Sequence, residues 1–315
     1  MARLAAMVLA ALALCLPAIA HAGPALLFEA KTEKVIYAED PDLLWHPASL
    51  TKLMTAYLTF EAISKGELSM SDKITCSANA NKQPPSKIGL PVGGTMTVES
   101  ALKVLIVKSA NDVAVMIAEH VGGSEQGFID QMNLAAKRLG MTRTNFVNPH
   151  GLPHSRQITT ARDMARLTRA ILNEFPDYSD FFAMRYVKVG KRNLRSHNWL
   201  LRNYPGADGM KTGFICDSGY NIVASATRGD VRLVAVVMGA RTGLSRRVRT
   251  AKLLDHGFQR YEWKAMFASQ LDQMPVQMAT LSEGPESLRS TVCGVRRKVR
   301  RSRKARKKRK AKKKR

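Results

Sequence analysis

Three β-rich segments lie close together at residues 210–216, 220–228 and 231–240, and they constrain the fold more than any other feature of the sequence. The last two are joined by Arg228-Gly229-Asp230, a tight turn typical of a hairpin. Two shorter apolar stretches, ALLFEA and KVIYAE, flank Lys31-Thr32-Glu33 and predict another hairpin near the N-terminus. Strands are therefore expected at both ends of the folded region.

A helical region separates these strands. Apolar residues recur at helical spacing after Ser49 and predict a helix with one broad buried face that ends near Glu61. Similar patterns predict helices at residues 97–110, 111–121, 124–139 and 160–173, and a last one at 245–256 that ends at Gly257. Because strands do not alternate with single helices, we expect an α/β fold of the α+β type, in which an antiparallel sheet is flanked by helices and carries an inserted helical region.

The N-terminus has the features of a secretory signal peptide. A short positive region with Arg3 precedes an apolar stretch too short to span a membrane, and Ala20-His21-Ala22 matches a cleavage site. Residues 1–22 are therefore expected to direct export to the periplasm or cell envelope. Of the three remaining cysteines, Cys76, Cys216 and Cys293, at most one pair can form, and the wide spacing favours three unpaired thiols.

The net charge of +25 is concentrated in one short segment. Residues 296–315 contain 16 Lys or Arg and no acid, which leaves 25 − 16 = +9 for the rest of the chain. Because such a run cannot bury a core, residues 295–315 are expected to form a disordered polybasic tail. The periodic pattern weakens after Trp263, which predicts one folded domain at residues 23–262 and a short C-terminal segment at 263–294.

Ser49 and Lys52 lie three residues apart at the start of the first helix, on one face. A serine hydroxyl is a poor nucleophile at neutral pH and needs a neighbouring base. A lysine amine serves as that base only when it is neutral, and burial or a nearby positive charge lowers its pKa. The pair therefore predicts a serine nucleophile with a lysine base.

Two further short motifs follow. Ser109-Ala110-Asn111 lies in a turn between two helices and offers a hydroxyl and an amide, whereas Lys211-Thr212-Gly213 begins a strand and offers a cation, a hydroxyl and an unobstructed edge. In this order, S-x-x-K, S-x-N and K-T-G are the three motifs of enzymes that become acylated on the serine of the first motif. The chain resembles the β-lactamase and transpeptidase-like superfamily, and most closely the low-molecular-mass penicillin-binding proteins with D-alanyl-D-alanine carboxypeptidase activity. The run DGMKTGFICDSGYNIVASA strengthens the resemblance, which covers roughly residues 25–260.

The resemblance implies a role for each motif residue. Ser49 would be the acylated nucleophile, Lys52 its base and Ser109 a proton relay. The substrate would be bound by the side chains of Asn111, Lys211, Thr212 and Arg246, and Gly213 would leave the strand edge open. The backbone N–H groups of Ser49 and Phe214 would form the oxyanion hole. Arg246 aligns loosely, because Arg247 and Arg249 lie beside it. His197 stands where relatives often carry a basic residue before an N-x-L-L run.

The function implied by the resemblance is a serine D-alanyl-D-alanine carboxypeptidase that trims peptidoglycan stem peptides and is acylated by β-lactams. A D,D-endopeptidase or a β-lactamase remains an alternative, although no E-x-x-x-N loop follows Asn111. No cofactor or metal is expected: there is no H-E-x-x-H motif, and Gly-Leu-Pro separates His150 from His154.

Relatives usually append a β-rich domain and a membrane helix, so residues 263–294 would be a truncated remnant and the polybasic tail an anchor on an anionic membrane surface. Nucleic-acid binding is the rival function for this tail. It is not favoured, because the tail lacks aromatic residues for base stacking and an exported chain meets little nucleic acid.

Overall fold

A five-stranded antiparallel sheet organises the protein, whose computed structural model describes residues 23–276 and 284–294. Its strand order is β2-β1-β9-β8-β7, so strands from the two ends of the folded region meet where β1 pairs with β9. The predicted antiparallel sheet and hairpins are confirmed. The strands are β1 (Ala25–Glu29), β2 (Val35–Glu39), β7 (Ala207–Ile215), β8 (Gly219–Arg228) and β9 (Val231–Ala240).

The remaining elements form the inserted region, one last helix and a short C-terminal turn. Two small hairpins lie within the insertion: β3 (Lys73–Thr75) with β4 (Thr95–Thr97), and β5 (Tyr186–Val189) with β6 (Arg192–Arg195). The helices are α1 (Lys52–Ser64), α2 (Ala78–Lys82), α3 (Val98–Val107), α4 (Asn111–Val121), α5 (Glu125–Arg138), α6 (Ala161–Glu174), α7 (Asp180–Ala183), α8 (Leu200–Asn203) and α9 (Gly243–Phe267). Short 3-10 turns cover Ala48–Thr51 and Pro176–Tyr178, and a π turn covers Ser290–Gly294.

The middle of the central sheet is buried on both faces, which explains why β1 and β9 are apolar at nearly every position. In β1, Leu26 and Phe28 pack against the inserted helices, whereas Ala25 and Leu27 pack on the side of α9. Alternate side chains of a strand point to opposite faces, so a sheet covered on both faces needs apolar residues at consecutive positions. The sheet is thus a rigid layer between two cores.

Helix α1 is more deeply buried than the sequence pattern predicts. The prediction was one broad buried face, but every residue from Lys52 to Phe60 is buried. Thr55 and Thr59 can be buried because both hydroxyls donate hydrogen bonds. The Thr55 hydroxyl donates to the carbonyl oxygen of Pro149, and the Thr59 hydroxyl donates to the carbonyl oxygen of Thr55. A further correction concerns its start: Ser49 lies in the preceding 3-10 turn, and the α-helix begins at Lys52.

The last helix, α9, does not end at Gly257 as predicted but continues to Phe267. Gly257 instead permits close packing, because a Cβ atom there would lie 2.6 Å from side-chain atoms of Leu27 and Leu233. The proposed domain boundary between residues 262 and 263 therefore falls inside a continuous helix. The signal peptide and the polybasic tail lie outside the described residues. Within the described ranges, no helix is both long and apolar enough to cross a bilayer.

Candidate active site

A cleft of about 450 Å³ opens between the sheet edge and the inserted helical region. The structure brings all three predicted motifs to this cleft. The predicted site residues that line it are Ser49, Ser109, Asn111, Thr212, Gly213, Phe214 and Arg246. Lys52 and Lys211 lie directly behind its surface and are almost completely buried.

Lys52 is the centre of the hydrogen-bond network. Its Nζ atom lies 3.4 Å from Ser49 Oγ, 2.8 Å from Asn111 Oδ1 and 2.7 Å from the carbonyl oxygen of His150. The side chain is fully buried. A neutral amine has two N–H donors and one lone pair, and the Asn111 and His150 oxygens accept both donors. The lone pair is then left for the contact with the Ser49 hydroxyl.

The surroundings of Lys52 favour this neutral form. Burial, followed by the positive charge of Lys211, holds the pKa of Lys52 well below its ordinary value, although Asp112 opposes the shift. No ion pair to Lys52 is present among the described residues. Asp112 instead accepts hydrogen bonds from the backbone N–H groups of Ile88 and Gly89. The arrangement can therefore supply an uncharged base beside a serine hydroxyl.

Lys211 and Ser109 connect the second and third motifs across the cleft. Lys211 Nζ donates to Ser109 Oγ at 2.9 Å and to the carbonyl oxygen of Thr212 at 3.0 Å. Burial and the nearby Arg246 lower the pKa of Lys211 to about 7. Ser109 has a positive φ of 61°, which sets its side chain at the start of α4. A proton relay between this hydroxyl and a lysine amine is therefore sterically available.

The edge strand β7 forms one wall of the cleft and approaches the Ser49 turn closely. A Cβ atom on Gly213 would lie 3.0 Å from both the Ser49 backbone nitrogen and the Pro47 carbonyl oxygen, so a larger residue would separate the two walls. Asn221 on β8 also donates to the carbonyl oxygens of His46 and Pro47. These contacts hold the Ser49 turn against the strand that carries Phe214.

Arg246 is a cation at this end of the cleft, and His197 also contributes to the lining. Arg246 is buried on α9, and burial together with Arg247 lowers its pKa to about 10. His197 lines the same cleft, and burial of its ring and the charge of Lys211 lower its pKa to about 4. His197 is therefore neutral at physiological pH, while Arg246 is a cation available to a carboxylate.

A disulfide bond joins Cys216 to Cys293, which corrects the expectation of three unpaired thiols. The two residues are 77 positions apart in sequence, and only the folded chain brings their Cα atoms to 5.7 Å. We call residues 284–294 the C-terminal strap. Cys76 is the remaining free cysteine in the part of the chain that the structure describes, and it is buried.

The strap binds the turn that follows β7 through several contacts besides the disulfide. Arg289 forms a two-pronged ion pair with Asp217, and the backbone N–H of Leu288 donates to the Asp217 carbonyl oxygen. The next residue of that turn, Ser218, accepts a hydrogen bond from the indole of Trp45, four residues before Ser49. The strap therefore supports the turn after β7, the strand that carries Phe214. This supported turn contacts the segment before the Ser49 turn through Trp45.

Sequence reasoning missed the strap and the role of His150. The His150 carbonyl oxygen binds Lys52, but a backbone acceptor in an irregular loop leaves no mark in the sequence. Burial and Lys52 lower the pKa of the His150 imidazole to about 3, and its Nδ1 accepts from the Leu152 N–H. Across the described ranges, no cluster of three or more His, Cys, Asp or Glu residues is placed to bind a metal ion.

Comparison with known proteins gives consistent results. The family profile described as D-alanyl-D-alanine carboxypeptidase matches residues 14–242. The D-alanyl-D-alanine carboxypeptidase DacF of Bacillus subtilis is 39% identical over 256 residues, which cover 79% of this chain and 65% of that protein. The chain thus spans slightly less than two thirds of this curated relative.

Solved structures agree with the sequence comparison. Penicillin-binding protein 5 from Haemophilus influenzae superimposes with a TM-score of 0.73 at 35% identity, covering 76% of this chain and 71% of that one. Penicillin-binding protein D2 from Listeria monocytogenes, in its ampicillin-bound form, gives a TM-score of 0.66 at 31% identity and covers 75% and 97%. The sheet and the inserted helices are therefore similar to those of penicillin-binding proteins.

We expect the double substitution Cys216→Ser and Cys293→Ser to lower the free energy of unfolding by about 2–4 kcal/mol, because the disulfide closes a long loop. Denaturant unfolding of both proteins, with and without a reductant, measures the effect. Reductant should destabilise the wild type and leave the double variant unchanged. An unfolding midpoint of the wild type that does not move on reduction would contradict the expectation.

Proposed function

Because this chain belongs to the D-alanyl-D-alanine carboxypeptidase family, we propose that it removes the terminal D-Ala from peptidoglycan stem peptides that end in D-Ala-D-Ala. The reaction would pass through an acyl-enzyme on Ser49. The observation that carries the proposal is the buried Lys52 amine, with its two carbonyl acceptors and its contact to Ser49. An S-x-x-K spacing alone is common, but a lysine buried in this way is suited to accept a proton from serine.

In the first step, the Ser49 oxygen attacks the carbonyl carbon of the penultimate D-Ala while its proton passes to Lys52 Nζ. The oxyanion would be stabilised by the backbone N–H groups of Ser49 and Phe214. The substrate's terminal carboxylate would lie against Thr212, Lys211 and Arg246, and the Asn111 amide would hold the substrate backbone. The C–N bond then breaks, and the leaving amine takes a proton through Lys52 or through Ser109.

In the second step, water attacks the acyl-enzyme ester and donates a proton to Lys52. The C–O bond to Ser49 then breaks, Lys52 returns the proton to the Ser49 oxygen, and the shortened peptide leaves. β-Lactams would enter the same first step, because their strained amide carbonyl occupies the position of the penultimate carbonyl. We propose that their acyl-enzymes are long-lived, since no E-x-x-x-N loop follows Asn111 to activate the deacylating water. This distinguishes the protein from a class A β-lactamase.

The test is to treat the purified protein with a labelled penicillin and to map the adduct by mass spectrometry. We expect one adduct on Ser49, which disappears in Ser49→Ala and persists in Ser64→Ala, a control at the exposed end of α1. In Lys52→Ala, acylation should slow by about 10²–10⁴-fold because the general base is lost. Label on another residue, or unchanged labelling of Ser49→Ala, would exclude this mechanism.

Three substrate assays separate the related activities. Release of D-Ala from a pentapeptide supports the carboxypeptidase, release of monomers from cross-linked dimers supports the endopeptidase, and rapid turnover of penicillin supports the β-lactamase. We expect D-Ala release to be the fastest of the three.

The two buried lysines predict a bell-shaped pH profile for the second-order rate constant of penicillin acylation. Acylation should fall at acid pH as Lys52 gains a proton, because its depressed pKa makes the neutral base available only above that value. It should also fall above about pH 7, where Lys211 loses the charge that binds the carboxylate. Lys211→Arg should move the alkaline limb upward, and a profile that is flat on both sides of neutrality would contradict both roles.

We also propose that the protein contacts an anionic membrane surface. Trp263, Met266 and Phe267 lie three and four residues apart near the end of α9 and are 65%, 63% and 73% exposed. A cluster of exposed aromatic and apolar side chains favours the bilayer interface, and nearby cations favour anionic headgroups. Arg260 lies on the same helix, and the basic run at residues 296–315 adds 16 charges to the chain.

Co-sedimentation with vesicles measures this contact. We expect binding to anionic vesicles that weakens with salt. Trp263→Ser with Phe267→Ser should lower the binding constant by about tenfold or more, since each apolar side chain contributes about 1.5–3 kcal/mol at full burial and about 1.4 kcal/mol is a factor of ten. The matched control carries Leu134→Ser and Val92→Ser, which remove apolar side chains of similar exposure elsewhere. Equal binding by the two variants would contradict the role of α9.

A further inference from the structure

One face beside the cleft carries positive charge without neighbouring acids. Residues 184–205, which comprise the β5–β6 hairpin and α8, contain six Lys or Arg and no Asp or Glu. Three of these arginines lie close together: Arg195 is the strand partner of Tyr186, the residue next to Arg185, and Arg185 and Arg202 both bind the backbone of Ser196. We call these three arginines, Arg185, Arg195 and Arg202, the arginine face.

Elsewhere in the described chain, eight of fifteen arginines are paired with carboxylates: Arg138, Arg162, Arg166, Arg169, Arg228, Arg232, Arg249 and Arg289. By contrast, none of the three members of the arginine face has an ion pair with a described residue. The three cations therefore lie together without a carboxylate that neutralises them.

Because no carboxylate neutralises them, the positive charges of the arginine face repel one another. Burial, followed by the charges of Arg195 and Arg185, lowers the pKa of Arg202, and Arg247 adds to the repulsion. The buried Nε atoms of Arg202 and Arg247 also have no hydrogen-bond acceptor among the described residues. Like charges held together in this way are stabilised when an anion binds between them.

Backbone contacts link the arginine face to the catalytic cleft. Arg185 and Arg202 line a groove of about 550 Å³ whose lining residues differ from those of the cleft. The backbone N–H of Ser196 donates to the Arg185 carbonyl oxygen, and the Ser196 carbonyl oxygen accepts a hydrogen bond from the Arg202 guanidinium. The next residue, His197, lines the cleft. Arg247 also lines the cleft and stacks on Trp199. An anionic molecule can therefore extend from the cleft onto this face.

We propose that the arginine face binds carboxylates of the peptidoglycan polymer beside the stem peptide that occupies the cleft. The proposal rests on the proposed function, because the polymer carries the peptide to be cleaved. Guanidinium groups bind carboxylates through paired hydrogen bonds, which suits a repeating, carboxylate-bearing chain. The face would raise the activity on intact polymer without taking part in the chemistry.

The position of the face favours the polymer over a membrane as its ligand. Arg247 lies in the first turns of α9, whereas the exposed Trp263 and Phe267 lie in its last turns. Twenty residues of helix separate Arg247 from Phe267, a distance of about 30 Å. Arg247, whose charge acts on Arg202, therefore lies far along the helix from the exposed aromatic residues.

The test compares full-length variants on two substrates. Arg185→Gln with Arg195→Gln removes two exposed cations, and Arg185→Lys with Arg195→Lys retains their charge. The control, Lys31→Gln with Lys137→Gln, removes the same charge from exposed positions that do not line the cleft. Each protein is assayed for D-Ala release from insoluble peptidoglycan and from a short acylated peptide ending in D-Ala-D-Ala, at low and high salt.

We expect the glutamine variant to lose about three- to tenfold in kcat/KM on insoluble peptidoglycan at low salt, mainly through KM, and to stay within about twofold on the short peptide. The lysine variant should recover most of the loss, and high salt should remove the difference. Equal activity of the glutamine and control variants on the polymer would overturn the proposal. An equal loss on both substrates would also overturn it, as would a selective loss of vesicle binding, which would assign the face to lipid.

Failure of the proposed function gives a different result. In that case the wild type releases no D-Ala from either substrate and forms no adduct on Ser49. The inference is overturned separately when the wild type is active on both substrates but the arginine substitutions have no selective effect on the polymer.

Discussion

The site depends on one buried amine that has no counter-charge beside it. Lys52 lies in the core at the start of α1, where its Nζ atom contacts oxygen atoms of Asn111, His150 and Ser49. A charged ammonium at this depth would require desolvation without an adjacent carboxylate, so the neutral form is favoured. The same burial that stabilises the fold around α1 therefore also favours the neutral amine that the proposed mechanism uses as its base. Stability and reactivity have a common physical origin here.

Maintaining this arrangement requires three segments that are far apart in sequence. The central sheet supplies β7 and β8, and Asn221 binds the backbone before Ser49. The inserted helices supply Asn111, and the C-terminal strap supports the turn after β7. Because both faces of the sheet are buried, its edge strand is a rigid reference against which the Ser49 turn is placed. The position of the cleft therefore depends on the packing of the two hydrophobic cores against the two faces of the sheet.

Charge is distributed around the site according to function. Asp42 and Arg162 form a buried two-pronged pair that joins the start of α6 to the loop before the Ser49 turn, and Arg162 also binds carbonyl oxygens after α9. At the cleft the balance is different, since Lys211, Arg246 and Arg247 face it without adjacent carboxylates. An anionic substrate would supply the missing negative charge, which links the electrostatics of the cleft to those of the arginine face.

The sequence by itself determined the hairpins of the central sheet, most helix positions and the three motifs, because hydrophobic period, turn residues and short spacings are local properties. It also indicated the family through the order of those motifs. Only the tertiary structure decided which groups meet. The Cys216–Cys293 bond, the His150 carbonyl contact and the continuation of α9 past Gly257 all depend on partners distant in sequence. Gly257 looked like a helix end, yet it is a position where α9 packs closely on Leu27 and Leu233. The sequence did not indicate this, because no local pattern records how near a helix must approach a sheet.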